Sequence, residues 1–281
     1  MKIKLGENAY GKNAVELSKI IRHADHHEFR QVSVNTLLEG DFETAYTQGD
    51  NTRILPTDTQ KNTVYALAKD HFTGSIEDFA LYLANHFTTH NPQIHKVQVE
   101  IQEHSWIRMQ FNGTPHPHAY TGGGSEKHTA LILQEGNTLS VTAGITDLLI
   151  LKTTDSAFEH YIQDPFTTLK PASDRILATQ CTASWRYVKP AGDFSALFSN
   201  IRHTLLHTFA YHKSLSVQQT LYDMGKAVLE AYDAVQEISL VMPNKHHIPF
   251  NLEPFGMKNQ NEVFVATDAP YGYISGTLVR E

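Results

Sequence analysis

Residues 55–65, LPTDTQKNTVY, place hydroxyl, carboxylate and amide side chains at what reads as the start of a helix. Thr57 and Gln60 lie three residues apart and follow a proline, a spacing that predicts a helix capped by Thr57. The first backbone N–H groups of a helix have no partner within it and attract anions. The segment therefore either caps its helix only or also holds a ligand there, and its residues alone leave both interpretations open.

The 17 histidines suggest a metal site, and they are densest in the segments HADHH and HPH. His23, His26 and His27 surround a polar turn, whereas His116 and His118 flank a proline in a loop. Neither segment has the helical i, i+4 spacing of a zinc enzyme, and neither has a cysteine partner. We interpret both as surface and loop histidines and predict no metal site. A metal-dependent hydrolase that uses these histidines is kept as an alternative.

Two other segments resemble catalytic motifs only superficially. The segment TGGGSEKH, residues 121–128, lacks the Gly-Lys-Ser/Thr ending of a phosphate loop and is predicted to be a flexible hairpin tip. Cys181 lies in an alternating segment without a base beside it, so we interpret it as a small buried residue. A single cysteine excludes an intrachain disulfide, and nothing indicates an oxidising compartment.

The elements that must position these residues are strands interrupted by pairs of helices. Apolar residues at helical spacing in residues 75–87 predict a helix that Ser75 and Asp78 cap. The first half is predicted to contain strands in 15–46 around a turn at Ala24–Asp25, a helix from Thr57, the helix just described, and strands in 96–109 and 128–135. The second half is predicted to contain strands in 138–154 and 175–188, helices from Asp193 and Ser216, and strands in 237–243 and 261–268.

This order, strand–strand–helix–helix–strand–strand, occurs twice and predicts a duplicated α+β unit with long antiparallel strands. We place the two units at residues 1–136 and 137–281. Helices that cover one face of a sheet leave its other face in need of a partner, so we expect an oligomer.

The bulk composition excludes several classes of protein. The 281 residues are 41% apolar and 19% charged, and the net charge of −7 argues against nucleic-acid binding. No run approaches the roughly 20 apolar residues of a membrane span. The start MKIKLGENAYGK does not resemble a signal peptide, and the ending LVRE is not a peroxisomal address. We expect a cytoplasmic protein that binds neither nucleic acid nor membrane.

Several segments together resemble the urate oxidase (uricase) family over nearly the whole chain. The middle segment has the family's signature spacing at Lys152, Ser156, Phe158, Tyr161, Phe166, Leu169 and Arg175. The segments GDFETAYTQGDN, TDTQKNTVYALAKDH, DRILAT and PNKHH are also similar to family segments. The resemblance implies a duplicated tunnelling fold, with antiparallel sheets carrying helix pairs on one face. It also implies a homotetramer that forms an oligomeric β-barrel, with active sites between subunits.

The resemblance implies a purine-degrading reaction, the oxidation of urate by O2 and water to 5-hydroxyisourate and hydrogen peroxide without metal or organic cofactor. Lys12, Thr57 and His246 match the family's proton relay. Urate must lose a further proton before it reduces O2, and an amine in a closed site can accept that proton.

The substrate-binding residues also follow from the resemblance. Arg175 matches the arginine that grips one edge of urate, and a guanidinium fork suits a planar anionic edge. Gln218 matches the glutamine on another edge, where its amide is both donor and acceptor. Phe158 matches the aromatic ring that stacks on the purine, and Val217 would contribute a backbone contact. The backbone N–H of Asp58 would face a purine nitrogen.

The resemblance also includes residues that hold O2, and the sequence departs from the family pattern at two positions. Asn244, with Thr57, matches the pair that holds O2 or water above the ring. Many members have glycine where His160 stands, and alanine is common at the position of Pro56. The first departure bears on how Phe158 sits over the ring, and the second on the entry to the helix.

Two further alternatives stay open. An oligomeric binding or structural member of the same fold would be expected to lack Lys12, Thr57 or His246, and all three are present. The fold also includes pterin-related enzymes, some of them metal-dependent. Those enzymes need a tight histidine or cysteine site, which the sequence does not display.

Overall fold

The computed structural model describes residues 2–190 and 192–281, which form an α+β protein of long antiparallel strands and five α-helices within the described residues. The chain divides into two compact units. Unit 1 comprises Met1–Gly144 with Arg186–Phe198, and unit 2 comprises Ile145–Trp185 with Ser199–Glu281. The sequence pattern places the boundary between the two repeated units at residues 136 and 137, and that boundary stays a prediction.

Unit 1 contains an antiparallel sheet with the strand order β1-β2-β3-β4-β5. Its strands are β1 (Tyr10–Arg22), β2 (His27–Gly40), β3 (Ile94–Phe111), β4 (Thr114–Glu135) and the first part of β5 (Thr138–Lys152). Its helices are α1 (Glu43–Gln48), α2 (Thr57–His71), α3 (Ile76–His90) and the first turn of α4 (Phe194–Tyr211). The predicted turn at Ala24–Asp25 is confirmed, because β1 and β2 pair as far as Arg22 and His27.

The core of unit 1 is built where α3 packs on β3 and β4. The helix buries the apolar face that the sequence predicts, with Phe79, Leu83 and Phe87 fully inaccessible. Ser75 accepts a hydrogen bond from the Asp78 backbone N–H at 3.0 Å, and the Asp78 carboxylate accepts one from the Ser75 backbone N–H. The predicted cap is therefore confirmed, and it satisfies donors that the helix itself leaves unpaired.

The prediction of a flexible hairpin tip at residues 121–128 is wrong. This segment lies inside β4, and the turn between β3 and β4 falls instead at Asn112 and Gly113, both with positive φ. The glycines allow an irregular stretch of strand, because the pairing shifts where Trp106 lies opposite Gly122 and His104 opposite Lys127. Extra residues on one strand of an antiparallel pair are accommodated as a bulge rather than as a turn.

Unit 2 contains the remainder of β5, the strand β6 (Leu177–Tyr187) as far as Trp185, and the strands β7 (Val235–Val241), β8 (Asn244–Pro249), β9 (Phe264–Gly272) and β10 (Ser275–Val279). The order is β5-β6-β7-β10, and β8 pairs with both β6 and β9. Helix α5 (Val217–Ala231) packs on β7 and β10 and buries Leu221, Met224 and Val228, as predicted. Cys181 is fully buried in β6, which raises the pKa of its thiol to about 12. The interpretation as a buried structural residue is confirmed.

The helices of the described residues include none that is both long enough and apolar enough to cross a membrane.

Gly11 is required where β1 approaches β2 most closely. A Cβ atom at this position would lie 1.8 Å from the carbonyl oxygen of Thr36. We predict that Gly11→Ala lowers the free energy of unfolding by about 1–3 kcal/mol, because the strands must move apart. Urea denaturation of the variant and of Gly6→Ala measures the effect. Gly6 is the matched control, since its Cβ would meet nothing within 4 Å. Equal losses in both variants would contradict the prediction.

Candidate active site

The start of α2 differs from the predicted cap. Pro56 occupies the N-cap position, Thr57 is the first helical residue, and no side chain caps the helix. The interpretation of Thr57 as the cap is therefore wrong, because the helix begins one residue earlier than that pattern requires. The first backbone bond of the helix runs from the Gln60 N–H to the Pro56 carbonyl at 3.0 Å. The N–H groups of Thr57, Asp58 and Thr59 have no acceptor among the described residues.

A chain of hydrogen bonds holds this helix start against β1 and β2. The side chain of Gln60 is fully buried, accepts from the Thr36 hydroxyl at 2.8 Å and donates to the Leu55 carbonyl at 3.3 Å. The Leu55 N–H donates to the Tyr10 hydroxyl at 2.8 Å. The Lys12 N–H donates to Thr36 Oγ1 at 3.3 Å, so the position of Lys12 is coupled to that of α2. Buried polar groups that are fully paired in this way specify one geometry.

A bulge in β1 immediately follows Lys12. The pairing with β2 shifts between Lys12 and Val15, and Ala14 adopts a positive φ of 54°. The Ala14 N–H donates to Asn35 Oδ1 at 2.7 Å, which stabilises the bulge. Bulges redirect the side chains beside them and are common next to active sites. Here the bulge follows a half-buried lysine.

The carboxylate of Asp58 is turned toward its own helix. It pairs with Lys61 at 2.5 Å and accepts from Asn62 at 2.9 Å. The hydrogen bond from Lys61 is the main reason that the pKa of Asp58 is below its ordinary value, and the charge of Lys12 also contributes. Lys12 and the start of α2 are therefore neighbours. The group that Asp58 leaves available to a ligand is its backbone N–H.

In unit 2, residues 153–176 connect β5 to β6 and position an aromatic ring. The N–H and carbonyl of Phe158 bond the carbonyl and N–H of Ala172 at 2.8 and 3.1 Å. The Thr154 hydroxyl donates to Asp174 at 2.8 Å, and this bond is the main cause of the lowered pKa of Asp174. His160 adopts a positive φ of 60°, a conformation that glycine adopts at little cost.

Arg175 is the most distinctive charged group of unit 2. Its guanidinium lies over the ring of Phe158, 5.1 Å from the ring centre, in a cavity of about 430 Å³ that His246 also lines. Its Nε is buried and has no hydrogen-bond partner among the described residues. Burial lowers the pKa of this guanidinium from its ordinary value, yet an arginine stays charged at neutral pH. A half-buried cation with an unpaired Nε beside an aromatic ring is suited to a planar anion.

His246 reaches this cavity from β8. Asn244, two residues earlier, pairs with Thr179 of β6 and with Gly272 of β9. The register shifts between Asn244 and His246, so the strand is irregular between them. After the strand predicted in residues 237–243, the structure begins a separate strand at Asn244.

The start of α5 is held against the same connecting segment. The Ala157 N–H donates to the Ser214 carbonyl at 2.8 Å, and Lys152 donates to the carbonyl of His212. Ser216 caps the helix by accepting from the Gln219 N–H at 3.1 Å. The signature residue Lys152 therefore positions backbone here rather than lining the cavity.

The two predicted substrate-binding residues on α5, Val217 and Gln218, differ in the groups that they leave available to a substrate. The N–H groups of Val217 and Gln218 have no acceptor among the described residues. The Gln218 side chain is exposed and lines a groove that α5 forms with β10, not the cavity that contains Arg175. The structure therefore assigns the nine predicted site residues to both units. Lys12, Thr57 and Asp58 belong to unit 1, and the other six belong to unit 2.

Sequence reasoning missed the residues that support or complete the site. The buried Gln60 lies in register with Val64 and Ala68, so a polar residue on the apolar face of α2 was the available signal. Ile248 and Phe264 line the Arg175 cavity from β8 and β9. Nothing in their local pattern distinguishes them from ordinary strand residues.

The positive φ of His160 leads to a prediction about backbone strain near Phe158. Left-handed backbone costs a residue with a Cβ about 1–2 kcal/mol, and glycine is largely spared this cost but loses more chain entropy on folding. We predict that His160→Gly raises the free energy of unfolding by up to about 1 kcal/mol. Glu159→Gly is the control, because Glu159 is not among the positive-φ residues, and it should be destabilising. Thermal and urea unfolding of both variants measure the difference, and a clear loss of stability in His160→Gly would refute the prediction.

Comparisons with known proteins agree with this architecture. The family model described as Uricase matches residues 8–133 and 141–275. A uricase from Arthrobacter globiformis is 44% identical over 280 residues, which cover 100% of this chain and 91% of that protein. A uricase from Danio rerio is 37% identical over 285 residues, covering 99% of this chain and 96% of that protein.

The fold comparison leads to the same family. The crystal structure of uricase from Arthrobacter globiformis matches with a TM-score of 0.95 and 44% identity, covering 100% of this chain and 96% of that one. The predicted α+β tunnelling fold is thereby confirmed. Because both the family model and relatives of this similarity extend over nearly the full length, the chain belongs to the uricase family.

Proposed function

We propose that this chain is a urate oxidase. In the proposed reaction urate, O2 and water yield 5-hydroxyisourate and hydrogen peroxide, so two electrons pass from the purine to O2 and one water oxygen enters the product. The reaction proceeds without metal or organic cofactor, in a cytoplasmic homotetramer with active sites between subunits. Membership of the uricase family supports the substrate and the enzyme class.

The observation that carries the proposal is the half-buried guanidinium of Arg175, with its buried Nε unpaired, beside the Phe158 ring. Urate is planar and anionic at neutral pH. Its anionic edge can accept two parallel N–H bonds from a guanidinium, while its face stacks on an aromatic ring. The Phe158 ring compensates the partly desolvated charge of Arg175 only in part, which favours an anion over a neutral purine as the ligand.

The two helix starts provide the remaining contacts in this proposal. The free N–H group of Asp58 faces an acceptor nitrogen of the purine, and Val217 contributes its own backbone N–H. Gln218 recognises a further edge through its amide. This last role requires the exposed Gln218 side chain to turn from the groove beside β10 toward the ligand.

Proton transfer is assigned to Lys12, Thr57 and His246. The Lys12 amine takes a proton from bound urate, the Thr57 hydroxyl passes protons between donor and acceptor, and His246 completes the relay. Asn244 and Thr57 hold O2 or water above the ring. Lys12 and Thr57 belong to unit 1, whereas Asn244 and His246 belong to unit 2.

Exposed apolar side chains on the strands support the oligomer. Leu149 and Leu151 of β5 are 62% and 48% exposed, and Ile107 and Phe111 of β3 are 54% and 61% exposed. Large exposed apolar side chains that recur along a strand are suited to contact with another chain. A second copy of this chain is the partner that we propose.

Turnover of urate by chelator-treated protein tests the proposal. We predict that urate absorbance decays after the metal has been stripped, with release of one H2O2 for each urate consumed. Failure of turnover until a metal ion is restored would overturn the cofactor-free reaction. Stable binding of urate without any turnover would instead favour a binding protein of the same fold.

Separate variants test the division of roles between Lys12 and Arg175. We predict that Lys12→Met lowers kcat by about 10²–10⁴-fold with little change in anaerobic urate binding, because it removes a proton acceptor. Arg175→Ala should weaken anaerobic binding by about 10–100-fold, the value of a charged hydrogen bond. Arg175→Lys keeps the charge without the fork and should be intermediate.

Lys4→Met is the matched control for loss of a lysine charge, since Lys4 is exposed and lies outside the proposed site. It should leave kcat and binding unchanged. Equal losses of binding in Lys12→Met and Arg175→Ala would contradict the proposed roles.

A further inference from the structure

The turn between β1 and β2 gathers three side chains of the types that ligate metals. His23 Nε2 lies 2.7 Å from Glu28 Oε1, and His26 Nε2 lies 3.9 Å from the same oxygen. The potential ligand atoms of these three residues all lie within 4.8 Å of one another. The sequence pattern indicated only loop histidines here, because Glu28 joins them through the pairing of β1 with β2.

These separations suit a tetrahedral transition-metal ion. Ligand atoms about 2.0–2.1 Å from such an ion lie about 3.3–3.5 Å apart, between the two distances observed here. We propose that this turn binds one divalent ion of the Zn²⁺ class through His23, His26 and Glu28, with water in the fourth position. None of these residues belongs to the proposed urate site, so the inference does not depend on the proposed function.

Asp25 orients one of the ligands. Its Oδ1 lies 2.8 Å from His26 Nδ1, so that nitrogen carries the proton and Nε2 keeps its lone pair for a metal. A carboxylate that holds the second nitrogen of a ligating histidine is a common feature of zinc sites. Asp25 and Glu28 also provide two negative charges to balance the ion. Asp25 is therefore a positioning residue in this proposal.

The backbone of the turn restricts the geometry further. The His23 N–H donates to the His26 carbonyl at 2.9 Å, and the antiparallel pairing begins directly at Arg22 and His27. The rings of His23 and His26 are stacked, with centres 4.4 Å apart and planes 17° from parallel. A metal would thus bind side chains that the fold already holds together, which reduces the entropy lost on binding.

Two other histidine pairs provide a comparison within the same chain. His86 and His90 on α3, and His203 and His207 on α4, have i, i+4 spacing with ring centres 4.3 and 6.1 Å apart. Among the described residues, only the β1–β2 turn brings three His, Cys, Asp or Glu ligand atoms together. The turn should therefore bind more tightly than either pair.

Titration of the metal-stripped full chain with Zn²⁺ by calorimetry tests the proposal. We expect one tight site, weakened at least about 100-fold in His26→Ala and in Glu28→Gln, which remove ligands. Asp25→Asn should weaken binding by about 10-fold, the lower end for a residue that supports a ligand.

His95→Ala is the matched control, since His95 is an exposed strand histidine outside this cluster, and it should leave the tight site unchanged. Circular dichroism of each variant establishes that it is folded. The absorption spectrum of Co²⁺-loaded protein should show the intense visible bands of a tetrahedral ion, and His26→Ala should abolish them. Unchanged affinity and stoichiometry for Zn²⁺ in folded His26→Ala and Glu28→Gln would overturn the proposal.

Discussion

The half-buried guanidinium of Arg175, whose buried Nε has no partner among the described residues, is the constraint on which the proposed site depends. Removing a cation even partly from water costs free energy, and here no carboxylate of the described residues pairs with the cation. The Phe158 ring compensates only in part, since a cation–π contact contributes about 0.5–2 kcal/mol. In the free protein the charge of Arg175 is therefore not fully compensated, and an anionic ligand can complete the compensation. Because this charge lies beside the flat face of an aromatic ring, the site favours ligands that are both anionic and planar.

At the start of α2, by contrast, the polar side chains that support the helix are paired by hydrogen bonds. Gln60 uses both ends of its amide, toward Thr36 and Leu55, and Tyr10 receives the Leu55 N–H. This network fixes a helix end whose own first N–H groups remain free, because Pro56 at the N-cap has no side chain that can accept from them. A cap such as that of Ser75 would have occupied one of those donors. The hydrogen-bond network thus holds the helix start in place, whereas the proline at the N-cap leaves the first N–H groups free.

Much of the fold follows from local pattern, and the errors are instructive. The apolar face of α3, its cap at Ser75 and the burial of Cys181 were predicted correctly, since each depends on residues a few positions apart. The glycine run at 121–128 was misread because glycine permits both a turn and an irregular strand, and only the pairing with β3 decides between them. Thr57 was misread as a cap because the pattern fits either of two helix starts that differ by one residue.

The sequence by itself determined the helical faces, the alternation of the strands, the charge that argues against nucleic-acid binding, and the resemblance to one enzyme family. These properties are carried by neighbouring residues or by motifs whose spacing survives in the linear order. Only the tertiary structure decided that Arg175 and His246 share a cavity, that Gln60 is a buried support, and that Glu28 joins His23 and His26. Each of these depends on strand register or on contacts between segments far apart in the chain. A one-residue change of register would alter them without changing any local pattern.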